Sequence, residues 1–155
     1  LMDGLYLYEF LTGQNYECFA NFHIRHDYKR GSMIYPHVHF TVSNNASGVV
    51  RWVFEYTQAQ RHDNSGNSVF PATTKLYLNF TVATNSAYKH LVAEMPEGQG
   101  IPATNIDFDS MIMMRIYRDG TDPADTFGQS AFGITVDLHY ETDHENTTLR
   151  SPPFY

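Results

Sequence analysis

Hydrophobic and polar residues alternate with a period of two along most of the chain. Val50, Trp52, Phe54 and Tyr56 fall on one side of an extended segment, with Arg51, Val53 and Glu55 on the other. Leu76, Leu78, Phe80 and Val82 alternate with Lys75, Tyr77, Asn79 and Thr81. Near the end, Phe132, Ile134, Val136, Leu138 and Tyr140 alternate with Gly133, Thr135, Asp137, His139 and Glu141. Successive side chains of a strand point to opposite faces, so each run predicts a half-buried antiparallel strand. Weaker runs over residues 5–11, 16–25, 35–43, 88–94 and 110–118 bring the total to about eight strands, and no segment reads as a convincing helix. The runs are separated by turn-forming clusters at Asn44-Asn45-Ala46-Ser47-Gly48, His62-Asp63-Asn64-Ser65-Gly66-Asn67 and Asp119-Gly120-Thr121-Asp122-Pro123, whose residues tolerate or fix turn backbone angles. The pattern is that of an all-β sandwich, jelly roll or barrel, and the expected fold is an antiparallel β-sandwich of about eight strands, a jelly roll before other arrangements.

The organisation is that of one domain. Residues 95–109, with two prolines and two glycines, form the longest connection and read as a crossing between sheets. Residues 1–145 are expected to form a single sandwich, and residues 146–155, ending Pro152-Pro153-Phe154-Tyr155, an extended C-terminal tail. A chain of 155 residues can bury about 70% of the surface it exposes when unfolded, so it needs no disulfide or metal to fold.

Composition narrows the classes. Aromatics make up 15% of the chain and charged residues only 17%, against about 25% charged in ordinary globular chains; disorder and coiled coil are excluded. The net charge is -7 and the basic residues occur at most as pairs such as Lys29-Arg30, so nucleic acid is not an expected partner. No apolar run approaches the roughly 18 residues of a membrane helix, and no membrane partner is expected. A leader of basic then apolar residues is not visible at the start, and Leu1 in place of methionine suggests a missing N-terminal portion or processing. Cys18, the one cysteine, lies in an apolar alternation with Ala20 and Phe22 and reads as a small core residue.

The chemistry-bearing residues are mostly histidines, of which there are eight. His37 and His39 are two apart and share one strand face, with Val38, Phe40 and Val42 on the other. His139, next to Asp137 on the polar side of the last long run, is the natural third imidazole. His37, His39 and His139 are therefore the candidate metal ligands, for a divalent ion, with Asp137 or Glu141 able to orient an imidazole. The plain alternative is that these histidines pair across strands or line a subunit contact; in a threefold oligomer, one histidine per subunit near the axis could form the site instead. His23 and His26 are three apart and read as a polar strand end facing two ways. Asp107, Asp109, Asp119, Asp122 and Asp125 lack the spacing of a calcium loop. There is no Gly-x-Ser-x-Gly, no activated cysteine and no phosphate-cradling glycine loop, so no catalytic residue and no resident cofactor is assigned and the chain is not expected to be an enzyme.

Four segments taken together carry a resemblance: His26-Asp27-Tyr28-Lys29, Tyr35-Pro36-His37-Val38-His39-Phe40, Val50-Arg51-Trp52-Val53-Phe54-Glu55-Tyr56 and Val136-Asp137-Leu138-His139-Tyr140. In this order the chain resembles a family of tailed-phage structural proteins with a Pro-His-x-His-aromatic strand, a Trp-containing strand ending near Glu-Tyr, an Arg-x-x-Arg strand (here Arg115-Ile116-Tyr117-Arg118) and a closing acidic-x-His-Tyr strand. The match covers roughly residues 20–150. It departs at Phe40, where tryptophan would be expected. The resemblance implies a β-sandwich or jelly-roll virion protein, trimeric, on the surface of the head, neck or tail, acting as capsid decoration (cement) or as the knob of a head or collar fibre. Its partners would be its own copies and capsid or neck proteins, with a host-surface glycan as a further candidate; the interface residues are not assigned. Two other readings stand beside it: a carbohydrate- or receptor-binding tail domain, and a cupin-like metal-dependent enzyme using His37, His39 and His139.

Overall fold

The computed structural model describes residues 6–62 and 68–143. Among these residues eight strands form: β1 Tyr8–Phe10, β2 Glu17–His23, β3 Ile34–Val42, β4 Gly48–Ala59, β5 Thr74–Val82, β6 Leu91–Glu94, β7 Met111–Arg118 and β8 Ala131–Tyr140. They make two four-stranded sheets, ordered β1-β8-β3-β6 and β2-β7-β4-β5. All pairings between strands are antiparallel. The pairs β4·β5, β3·β6, β2·β7 and β1·β8 are nested about the turn between β4 and β5. The chain is thus one long two-armed ribbon rolled onto itself, the arms then meeting again through β3·β8 and β4·β7. This is the jelly-roll arrangement of two facing sheets, and residues 95–110 do cross from one sheet to the other. The proposed tail at 146–155, and most of the turn at 62–67, lie outside the described residues.

The greasy sides of the alternating runs meet between the sheets. Trp52 sits at the centre, fully buried, with the edge of Phe10 at 5.0 Å and of Phe40 at 5.4 Å between ring centroids. Phe54, Ile34, Ile101, Ile112, Ile116 and Phe127 complete the packing around it. Phe40 fills its core position without a larger ring. Aromatic side chains crossing edge to face satisfy their quadrupoles while burying large areas, which is how a chain so poor in charge builds its interior.

One strand departs from its expected alternation. Between His39 and Phe40 the register against β8 slips: His39 faces Thr135, and Phe40 faces Gly133. Ile134 is the extra residue, a β-bulge. A bulge turns every residue beyond it to the opposite face. Ala131 and Gly133 therefore point inward with Val136 and Leu138, whereas Ile134 is 47% exposed and Phe132 only half-buried. Gly133 has a packing reason: a Cβ there would stand 2.9 Å from the Phe10 ring. Cys18 is half-buried rather than buried, and burial pushes its thiol above the ordinary value.

Candidate functional site

His37 and His39 both project from the outward side of β3, because Val38 and Phe40 between and beyond them are locked into the core. The register places Glu94 of β6 and Asp137 of β8 on either side of His37, and Val92 and Thr135 on either side of His39. His139 lies opposite Tyr35, one step along the same face. The three imidazoles expected from the sequence thus share one surface, with His37 in the middle: its ring centroid is 4.0 Å from that of His139 and 4.9 Å from that of His39.

Crowding makes His37 unusual. Although it points away from the core, it is only 2% exposed, roofed by its neighbours' rings. Its Nδ1 is buried and makes no well-formed hydrogen bond. Burial pushes the imidazole below the ordinary histidine value, His139 and His39 push the same way, and the Tyr35 backbone and Glu94 pull back without reversing the shift. A buried polar atom without a partner costs free energy.

Around this centre the donors fall into two overlapping trios, His37-Glu94-His139 and His37-His39-Asp137, in each of which the potential ligand atoms lie within 4.8 Å of one another. His139 Nδ1 is 2.5 Å from Glu94 Oε1. His39 Nε2 is 3.4 Å and His37 Nε2 4.0 Å from Asp137 Oδ2. His39 and His139 belong to different trios. Glu141, the other carboxylate considered for orienting an imidazole, is bonded instead to Lys29. Two members of the face were not placed on it from sequence: Glu94, and His90, whose Nε2 is 2.6 Å from His39 Nδ1 with the two rings near-parallel and side by side. The alternation of His90, Val92 and Glu94 against Leu91 and Ala93 is the signal that would have found them.

His23 and His26 do not face apart. The strand ends at His23, and the turn that follows brings both Nε2 atoms to one oxygen of Asp109, at 3.1 and 3.0 Å. Burial pushes the Asp109 carboxyl up, but its bonds and charge attraction to His26 and His23 outweigh this and hold it below the usual carboxylate value.

A second surface is apolar. Among the described residues, β2 pairs only with β7, and β1 covers only residues 131–133 of β8. The sandwich is open along this flank, where a groove is lined by Tyr8, Phe10, Cys18, Phe19, Ile134 and Val136. Phe19 is 71% and Tyr8 69% exposed.

The molecule is therefore an eight-stranded jelly roll with a filled interior, a histidine-carboxylate face on one sheet and an open aromatic flank. No family model and no curated protein matches the chain. One solved structure that does match is described as "Structure of infectious bursal disease virus Gt strain"; it is 13% identical, with 88% of this chain and 32% of that chain covered and a TM-score of 0.33. The chain spans about a third of that neighbour's length, and a likeness this loose carries no argument about what the chain does.

Proposed function

We propose that the chain is a virion structural protein that works by protein-protein contact, without catalysis, as a homotrimeric capsid decoration or head or collar fibre knob. The observation that carries the reading is the open flank: Phe19, Tyr8 and Ile134, all large and exposed, beside the edge of a seven-residue strand, β2, that has no pairing partner among the described residues. An edge with free backbone donors and acceptors is a template for another chain, and beyond Glu17 at its start β2 has no proline, lysine or arginine to blunt it. Exposed apolar groups clustered at such an edge mark an association surface. In a trimer the flank of each copy would meet a different surface of the next, a head-to-tail contact that closes into a ring after three copies. The second supporting feature is the four-segment resemblance to tailed-phage structural proteins, whose His-x-His and Trp segments lie on the adjoining strands β3 and β4 of facing sheets. The remaining partners would be capsid or neck proteins, and the location the particle surface.

Light scattering tests this directly. The expected mass in solution is three times the 17.8 kDa of the chain, and Phe19→Ser combined with Ile134→Ser shifts it to the monomer while changing intrinsic stability by about 1 kcal/mol or less. A chain that stays monomeric at every concentration and binds a glycan through the same flank overturns the proposal in favour of a carbohydrate-binding domain.

A further inference from the structure

We infer that the outward face of β3 and β8 holds a divalent transition-metal ion of the zinc type, ligated by His37 Nε2, His39 Nε2 and Asp137 Oδ2, with the remaining position open to solvent. The site goes beyond the assembly reading and does not depend on it.

Spacing selects this trio. Two ligands about 2.0–2.1 Å from a tetrahedral ion stand roughly 3.3 Å apart. His39 Nε2 and Asp137 Oδ2 are already at 3.4 Å, and His37 Nε2 is 4.0 Å from the same oxygen. The Asp137 side chain is half exposed, so it can close the longer gap by rotating. Glu94 and His139 fit less well: at 2.5 Å they share a hydrogen bond and would have to break it and separate to ligate one ion.

The surroundings fit as well. Metal-bound imidazoles donate their second ring N–H to a fixed acceptor, which sets the tautomer and the ring's orientation. His90 Nε2, 2.6 Å from His39 Nδ1 with the two rings near-parallel and side by side, is placed to accept that proton, leaving the His39 Nε2 lone pair for the ion. His37 is held rigidly by burial. Two imidazoles and a carboxylate suit zinc and its neighbours rather than calcium or magnesium, which take all-oxygen sets. Since His37 and Asp137 lie directly opposite on adjacent strands, the ion would tie β3 to β8.

The test uses the chain without a polyhistidine tag, titrated with zinc by calorimetry and followed by thermal unfolding. One zinc per chain is expected, with a rise in melting temperature. Asp137→Asn and His39→Ala weaken binding by more than about tenfold, whereas His139→Ala leaves it within about threefold. Both weakening positions are at least partly exposed, and melting in the presence of a chelator checks that the variants are folded. Histidine nitrogen NMR of the unaltered chain should show zinc shifting Nε2 of His37 and His39. Absence of binding with zinc in large excess overturns the inference. So does loss of binding in His139→Ala with Asp137→Asn unaffected, which would move the ion to the Glu94 trio.

Discussion

Arg118 and His37 are buried to nearly the same depth, at 0% and 2% exposure, one pointing into the sandwich and the other out of it. Arg118 enters the interior beside Trp52, its cross-strand neighbour. There its guanidinium makes a bidentate pair with Asp125, at 2.8 and 2.6 Å, and donates to the carbonyl oxygens of Phe10, Gln129 and Phe127. Asp125 in turn accepts from the Arg51 backbone N–H. Every face of the charge is answered, and the loop after β7 is fastened to the first strand. His37, by contrast, has a buried Nδ1 without a well-formed bond, while its Nε2, 4.0 Å from Asp137, stands in a face of imidazoles and carboxylates. A charged group buried to hold a fold is saturated by it; His37 is not, and what sets it apart from other buried atoms without a partner, such as Trp52 Nε1, is the set of potential ligands gathered around it. That difference separates the structural end of this molecule from its candidate ligand face.

The sharpest way to break the contrast is at Arg118. Arg118→Ala strands the Asp125 carboxylate and the three carbonyls in the interior, and breaking a buried pair from one side costs about 3–5 kcal/mol. Urea unfolding should show the midpoint fall accordingly, with the variant partly unfolded at rest if the chain has ordinary stability. Arg118→Lys should recover only part of the loss, since one ammonium cannot replace a planar fork. A loss below about 1 kcal/mol would mean that the network is incidental.

Asp109 stands between the two cases, a carboxylate answered by His23 and His26 but near the surface. Its folded carboxyl lies below the usual value of roughly 3.9 for an unfolded aspartate, so the unfolded chain takes up the proton first. The stability this contributes is present above that unfolded value and is lost as pH falls through the folded one. Asp109→Asn should therefore be less stable than the unaltered chain at neutral pH, with the two converging as acid is added. The gap should be smaller than that at Arg118, and urea midpoints across pH 2–7, a range of roughly five units around the carboxylate values, measure it. Curves that run parallel throughout would show that His23, His26 and Arg61, which stands 3.5 Å from the second carboxylate oxygen, add nothing there.

The strands were legible because each buries one side: the alternations at Trp52, Leu78 and Val136 could not be placed otherwise. The shared face of His37 and His39 followed from the same rule. What escaped reading depends on pairing between distant segments. The bulge at Ile134 inserts one residue against β3 and reverses a face that is apolar in sequence on both sides of it. The meeting of Glu94 with His37 depends on β6, only four residues long, lying beside β3. The predicted run at 88–94 forms a strand only from Leu91, because Tyr88 is turned to φ +58° and bonded through its N–H to the Val42 carbonyl. Arg118 reads as one more polar residue in an Arg-x-x-Arg pattern; its burial is set by the loop carrying Asp125, which no local period announces.

The smallest expected effect tests the other half of the contrast. His37→Leu replaces a buried imidazole, whose desolvated nitrogen is unpaid for by any strong bond, with an apolar side chain on a strand. Removing an unsatisfied buried group and filling its space is nearly neutral in most settings, so the stability of the metal-free chain should change by about 1 kcal/mol or less. Zinc should then no longer raise the melting temperature at all. A large loss of metal-free stability would show that His37 supports the fold as Arg118 does, through contacts that its neighbours Tyr35, His39 and His139 make with the ring itself. A small loss with the zinc response intact would place the ion on donors other than this imidazole. Only the pairing of a near-silent stability change with a lost metal response keeps the two buried groups in separate categories, one holding the sandwich together and the other held by it.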